Sequence, residues 1–491
     1  MLGRLIKQNL FAVISQLVPL ISSAVIVLYF SRILAKDDFG ILISLLSLTS
    51  FFASITDLGT SNAIIKIFGD SMHRKDGSAG FYIKYFAKIK LIMVLITALL
   101  LFIFSDQISK YLFHDYEYGF IIKAVSILFL SYSFIPFLNG MFAAINRYEY
   151  HSITSVSINI LKILFPLLFL YLLGGGLASI ASGLIIAYSI SMFIALFLAY
   201  KTFSNKLQYK KPKSLNTTNQ FLIYSTLLMW AGMLTSNIDV TILNYYKGPT
   251  DVALYNIAYA VISVIVVLVP ASGTFLLSIL TEMEALGKGE LQKIITDKVF
   301  KYGILFSIPI SFFVFFTSNR IILFLYRPDY LQAASSLKIL SIGITFFFIS
   351  GMCNSIFTSK GKIKDLAYIS ILVALIALAA AFFLIPIYGH QGTALATLIS
   401  GIMSTVLLGY ASIKMLHLKF KLIYILKPVL ASALTSLVII FYLNAAVKNT
   451  IILFIIAGII YVLLYIPMLD DDDKKLINKL ISLFKISLSL H

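Results

Sequence analysis

Apolar runs of about 20 residues, separated by short polar turns, follow one another along most of the chain. A helix rises about 1.5 Å per residue, so a run of about 20 residues crosses roughly 30 Å of hydrocarbon. About fourteen runs qualify, at 10–31, 39–62, 87–105, 119–142, 153–173, 177–200, 221–245, 253–278, 300–318, 337–357, 366–387, 393–413, 424–444 and 450–469. The pattern predicts an all-α polytopic membrane protein with about fourteen transmembrane helices. The run 10–31 is long enough to span and lacks a small-residue cleavage site, so it is expected to stay as the first helix.

Composition agrees with that reading. Of 491 residues, 60% are hydrophobic and 12% charged, where an average soluble chain has about 25% charged residues. The net charge of +18 is concentrated in the turns. With both termini on the cytoplasmic side, about three quarters of the 39 basic residues fall in cytoplasmic connections, among them Lys66, Arg74, Lys84, Lys88 and Lys90. That bias is the positive-inside rule, so the basic excess sets orientation and meets anionic lipid, and no nucleic-acid partner is inferred. The tail 470–491 repeats apolar residues at helical spacing and reads as a cytoplasmic amphipathic helix at the membrane surface.

The order of runs repeats. "LAKDDFGILISLLSL" matches "YKGPTDVALYNIAYA", and "LFPLLFLYLLGGGLASIASGLIIAY" matches "ALAAAFFLIPIYGHQGTALATLISGI", with Gly176 opposite Gly392, at offsets of roughly 212 to 216 residues. Two pseudo-symmetric six-helix lobes are expected, 1–220 and 221–413, followed by two extra helices in 414–469. Six spans return the chain to its starting side, so the pseudo-axis lies along the membrane normal, as in transporters that rock one repeat against the other. The basic linker 201–219 is the expected hinge.

Several chemistries are absent from the sequence. No connection exceeds about 30 residues, too short for a catalytic domain, and no phosphate-binding GxxxxGK[ST] occurs. The six His are scattered and Cys353 is alone, so neither metal-ligand spacing nor a CxxC pair is present. The chain reads as a transporter without a catalytic domain and without a cofactor.

Charges remain in or at the edges of spans: Arg32, Asp57, Lys66, Lys162 and Asp239. Such residues are normally paired, cavity-facing or functional. Lys162 lies mid-span and should meet an acid or an aqueous cavity; Arg32 and Asp57 are candidates for an interhelical ion pair. Basic side chains in a cavity suit a phosphate head group through charge-assisted hydrogen bonds. Asp239 has no acidic counterpart in the first lobe, where Val25 or Ile26 stands, and is expected either to close an outer gate through a salt bridge or to bind H+ or Na+.

Three strings resemble the polysaccharide flippases of the multidrug/oligosaccharidyl-lipid/polysaccharide exporter superfamily. They are "SRILAKDDFGILISLLSLTSFFASITDLGTSNAIIK", "NIDVTILNYYKGPTDVALYNIAYAV" and "TSKGKIKDLAYIS" followed by "LIPIYGHQGTALATLIS". The chain departs from the pattern at Ala35, Val240 and Leu277. The resemblance implies two lobes around a central cavity opening alternately to either side. It implies translocation of undecaprenyl-diphosphate-linked oligosaccharide repeat units to the outer leaflet of the bacterial cytoplasmic membrane, for O-antigen, capsule or exopolysaccharide synthesis. Membrane lipids and a polysaccharide polymerase are the implied partners, and the chain is expected to be monomeric. A related branch flips lipid II, and there the resemblance carries substrate roles onto Arg32 and Asp38. Ion-coupled export of drugs, with Na+ or H+, is the other function found in the superfamily.

Overall fold

The computed structural model describes residues 2–469 apart from 175, 205–207, 213, 237, 269–275, 278, 282, 285–286, 417–420 and 444–448. The apolar runs are helical because backbone amides surrounded by hydrocarbon must pair within their own segment. The first half contains α1 (Leu2–Ile33), α2 (Lys36–Asp57), α3 (Thr60–Ala63), a π-helical turn (Ile64–Phe68), α4 (Gly69–Arg74), α5 (Ala79–Ile103), α6 (Ser105–Phe113), α7 (Gly119–Ala144), α8 (Tyr148–Leu172) and α9 (Leu177–Phe203). The second half contains α10 (Asn216–Ser236), α11 (Ile238–Lys247), α12 (Pro249–Leu268), α13 (Gly289–Leu325), α14 (Ala333–Ser359), α15 (Ile363–Tyr388) and α16 (His390–Leu416). Two further helices follow, α17 (Ile423–Val438), ending in a π turn (Ile439–Leu443), and α18 (Thr450–Tyr465).

Among the described residues, 13 helices are long and apolar enough to cross a membrane, with α10 and α11 counted as one span. The 32-residue α1 adds the apolar stretch Ile21–Ile33. The tail 470–491, expected to be amphipathic, lies outside the described residues.

Corresponding helices begin at Lys36 and Pro249, Gly119 and Ala333, Tyr148 and Ile363, and Leu177 and His390, each pair 213 to 215 residues apart. The glycine match needs correction. Gly176 and Gly389, at φ +100° and +55°, each stand immediately before a helix, so Gly389 rather than Gly392 is the counterpart of Gly176. Gly392 instead lets α16 approach the Leu384 carbonyl of α15.

Two expected boundaries differ. The second span, predicted as one run over 39–62, breaks after Asp57, where Leu58 (φ 45°) and Gly59 (φ 68°) turn left-handed and the chain restarts at Thr60. A left-handed Leu costs about 1 to 2 kcal/mol. The Asp57 carboxylate offsets part of that cost, accepting from the Ser61 amide (3.1 Å) and the Ser61 hydroxyl (2.6 Å) as a helix cap does. The third span begins at Ala79, eight residues before the predicted 87, so Lys84, Lys88 and Lys90 belong to a helix and not to a connection.

At the end of the bundle that holds Arg32, predicted to be outer, the two halves meet closely. A Cβ on Gly40 would lie 1.9 Å from the Pro249 carbonyl oxygen, so only glycine lets α2 and α12 touch there. Thr250 donates to the Asp37 carboxylate, and Asn244 donates to the Leu112 carbonyl at 2.7 Å. Arg32 donates to the Leu325 carbonyl at 2.7 Å, while Arg327 donates to the Leu34 carbonyl at 3.5 Å. Each guanidinium thus caps the end of a helix in the other half.

At the opposite end, a Cβ on Gly59 would meet Ser225 Cβ at 2.7 Å and the Leu222 carbonyl at 2.8 Å. Tyr85 donates to Asn219 at 3.1 Å. The linker is tied to the first half there: the Lys210 amide donates to Gly77, and the Gly80 amide to Gln208, both at 3.0 Å. In the same turn burial works to raise the Asp76 pKa, but bonds from the Ser71 and Ser78 side chains and the Ser78 amide, with the Arg74 charge, hold it below its ordinary 3.8. The last two helices lean on α13, with Tyr461 donating to the Leu305 carbonyl at 2.9 Å and Phe454 set edge-on to Phe313.

Candidate functional site

Two cavities lie between and within the halves. One, of about 320 Å³, is walled by α1, α2, α7, α8 and α9 and closed by Val240, Tyr255, Asn256 and Tyr259 from the second half. Lys162 stands in its wall beside Tyr132 and Tyr188, whose rings are 5.2 Å apart. Among the described residues no carboxylate pairs with Lys162. Of the two surroundings expected for this lysine, it therefore has the cavity.

The other cavity, of about 470 Å³, is built by α10, α12, α14, α15 and α16. Tyr259 lines both. Asp239 is buried, 6% exposed. Its carboxylate accepts from the Val240 amide (2.8 Å), the Tyr255 hydroxyl (3.2 Å) and, weakly, the Thr397 hydroxyl (3.5 Å), and those two hydroxyls are 2.9 Å from each other. Tyr255 faces the first cavity and Thr397 the second. Among the described residues the partners of this acid are hydroxyls and an amide, and not the cation that a salt bridge requires. Hydroxyls can either donate to a carboxylate or accept from a protonated one, so the site tolerates both charge states.

The other expected residues lie away from the cavities. Asp57 is paired with Lys90, not with Arg32, and both side chains are almost fully buried. The correction has a physical reason: Arg32 ends α1 at one end of the bundle, whereas Asp57 ends α2 at the other. Lys66, in the π turn, holds its ammonium 5.2 Å from the centre of the Phe221 ring at the start of the second half. Asp38 is half-buried in the first turn of α2, and its neighbour Asp37 makes the contact to Thr250.

Lys162 and Asp239 therefore belong to the central region, Arg32 and Asp38 to one end, and Asp57 and Lys66 to the other. Sequence reasoning missed Lys90, Tyr255, Thr397 and Arg327. For Lys90 a signal existed, since the apolar run resumes on the N-terminal side of Lys88 as "FYIKYFAKIK". A tyrosine among 28 and a threonine in an apolar helix carry none.

A family model described as polysaccharide biosynthesis protein matches residues 5–282, and one described as MatE matches residues 222–383. An uncharacterized membrane protein of Methanocaldococcus jannaschii is 23% identical over 459 residues, 90% of each chain. Among solved structures, the lipid II flippase MurJ in an inward closed conformation aligns with a TM-score of 0.72 at 19% identity, covering 94% of this chain and 97% of its own. An inward-facing multidrug resistance MATE family transporter aligns at 0.66 and 12% identity, covering 83% and 98%. A transporter of the same superfamily from Pyrococcus furiosus aligns at 0.58 and 13%, covering 84% and 95%. The multi-pass helical architecture is thus that of flippases and transporters, and with over half of its length matched, the chain belongs to the polysaccharide biosynthesis protein family of that superfamily.

Proposed function

We propose that this protein moves undecaprenyl-diphosphate-linked oligosaccharide from the cytoplasmic to the outer leaflet of a bacterial cytoplasmic membrane, with both termini inside and no catalytic domain. The observation that carries the reading is Lys162: a cation without a carboxylate partner among the described residues, in the wall of a cavity between the two halves. A diphosphate head group neutralises such a charge and can leave with the lipid, whereas an exporter of organic cations would need an acid on the wall. Asp239 lies behind Tyr255 and Thr397, and neither set of cavity-lining residues includes it.

The contacts that join the halves at the Arg32 end give the state in which that end is shut. The Lys66 end is joined as well, by Gly59 against Ser225 and by Tyr85 donating to Asn219, so transport requires the two ends to part in turn, a rocking of one half against the other. Asp239 is the candidate for H+ or Na+ coupling, because a change in its charge alters the hydroxyl bridge between the cavities. Lipid II, which shares the lipid-diphosphate anchor, is the second reading, favoured by the similarity to MurJ over 94% of the chain. Polysaccharide polymerase is the expected recipient of the product, and the flippase acts as a monomer.

Transport in proteoliposomes with defined lipid-diphosphate glycans and lipid II, with and without imposed Na+ or H+ gradients, tests the reading. Lys162→Gln lowers the flipping rate by about tenfold or more, the worth of one charge-assisted hydrogen bond, while Lys162→Arg retains most of it. Wild-type rates in Lys162→Gln would overturn the anion-binding role. Asp239→Asn abolishes the response to the gradient; an unchanged response leaves the acid a structural part.

A further inference from the structure

We infer that the cavity of about 470 Å³ in the second half is a glycan subsite selective for uncharged sugars. The inference rests on the flippase reading and assigns the part of the substrate that lies beyond the diphosphate. The volume falls within the range of small-ligand sites, about 300 to 1,000 Å³.

The lining decides the ligand class. Among the described residues that face this space there is no Asp, Glu, Lys, Arg or His. Short polar side chains from four helices converge on it instead: Ser263, Ser350, Asn354, Ser370, Ser400 and Ser404. Three of these hydroxyls donate to their own helix, Ser263 to Ala260, Ser350 to Phe347 and Ser400 to Thr397, at 2.9, 3.0 and 2.7 Å. Each keeps lone pairs that can accept from a ligand. For Asn354, Ser370 and Ser404 no side-chain hydrogen bond is found among the described residues, so their donors are available too. Tyr259 and Phe347 supply ring surface.

A sugar ring presents the matching chemistry, several hydroxyls around an apolar face. A hexuronic acid would bring a carboxylate into a space where no cation stands among the described residues, at a desolvation cost that none of them offsets. A lipid tail is better served by the apolar cavity of about 240 Å³ between α13 and the last two helices, lined by Phe306, Phe313, Phe454 and Val462. Hydroxyls that only bond back to their own helix need no cavity, so back-bonding does not account for an open space walled by five helices. Since Tyr259 lines both spaces, a head group held at Lys162 extends its later sugars past Tyr259 into this subsite, while the first sugar stays beside the diphosphate.

The test is flipping in proteoliposomes of undecaprenyl diphosphate bearing one neutral hexose, a neutral trisaccharide, or a trisaccharide ending in a hexuronic acid. Wild-type protein is expected to move the neutral trisaccharide about tenfold or more faster than the acidic one. Ser404→Phe is expected to lose about tenfold on the neutral trisaccharide and to stay within about twofold on the single-hexose lipid, whose flux reports an intact fold. Should the variant not fold, the wild-type comparison decides alone. Equal wild-type rates for neutral and acidic trisaccharides overturn the subsite, as does an equal loss on short and long glycans in Ser404→Phe. Transport of none of the three by wild type overturns the flippase reading itself.

Discussion

Lys90 and Asp57 form a buried ion pair with 1% and 3% of their side chains exposed. Taking two charges out of water is costly, and the hydroxyls and amide of Thr60 and Ser61 satisfy what remains of the carboxylate. Removing one partner leaves the other charged in hydrocarbon, at about 3 to 5 kcal/mol. Lys90→Met should therefore lower the thermal stability of the solubilised protein markedly, and Asp57→Asn added to it should recover part of the loss; thermal unfolding in detergent measures both. The acid was legible in the sequence as a charge inside a span. Its partner was legible as a residue inside a span, from the apolar run that resumes before Lys88, but not as the partner, because pairing across 33 positions leaves no local pattern. Asp239 was found the same way, as a charge out of place, while its hydroxyl partners 16 and 158 positions away were not.

Helices themselves were the most legible level, since hydrophobic length alone sets them. What length does not set is where a helix bends or meets another. The break at Leu58 and Gly59 shows this: it divides the second span inside an apolar run whose length alone predicts one helix. Gly40 is the sharper case, one glycine among 26. Its place against the Pro249 carbonyl is a property of two elements 213 residues apart, not of either alone. Gly40→Val should force α2 from α12 at that end. A cysteine placed at Ser44, 3% exposed in this structure, should then react with an impermeant thiol reagent from the Arg32 side. Unchanged labelling would mean that the helices part elsewhere.

For the whole molecule, the repeat of spans pointed to paired helices and a space between them, but not to how that space is divided by Tyr259 or to what joins the halves at its ends. Those depend on contacts between halves, which the sequence encodes only as unrelated residues. Cysteines at Asp37 and Thr250, whose side chains meet across the halves, should crosslink under mild oxidation and arrest transport, with recovery on reduction. The lone native Cys353 is buried and should not interfere. Continued transport by the crosslinked protein would exclude parting of the halves at this end. The paired arginines set how hard that parting is. Across the halves both guanidinium groups grip neutral carbonyls, Arg327 while it also pairs with the Asp329 carboxylate of its own half at 2.6 Å, and the Arg32 bond is exposed while the Arg327 bond is part-buried. When the end opens, water takes over as their partner and no charge is stranded, so each contact changes the free energy by about 1 kcal/mol or less. A closure built this way holds its two states near balance. A cargo with even a modest preference between them, about 1.4 kcal/mol for each factor of ten, then decides which one is populated.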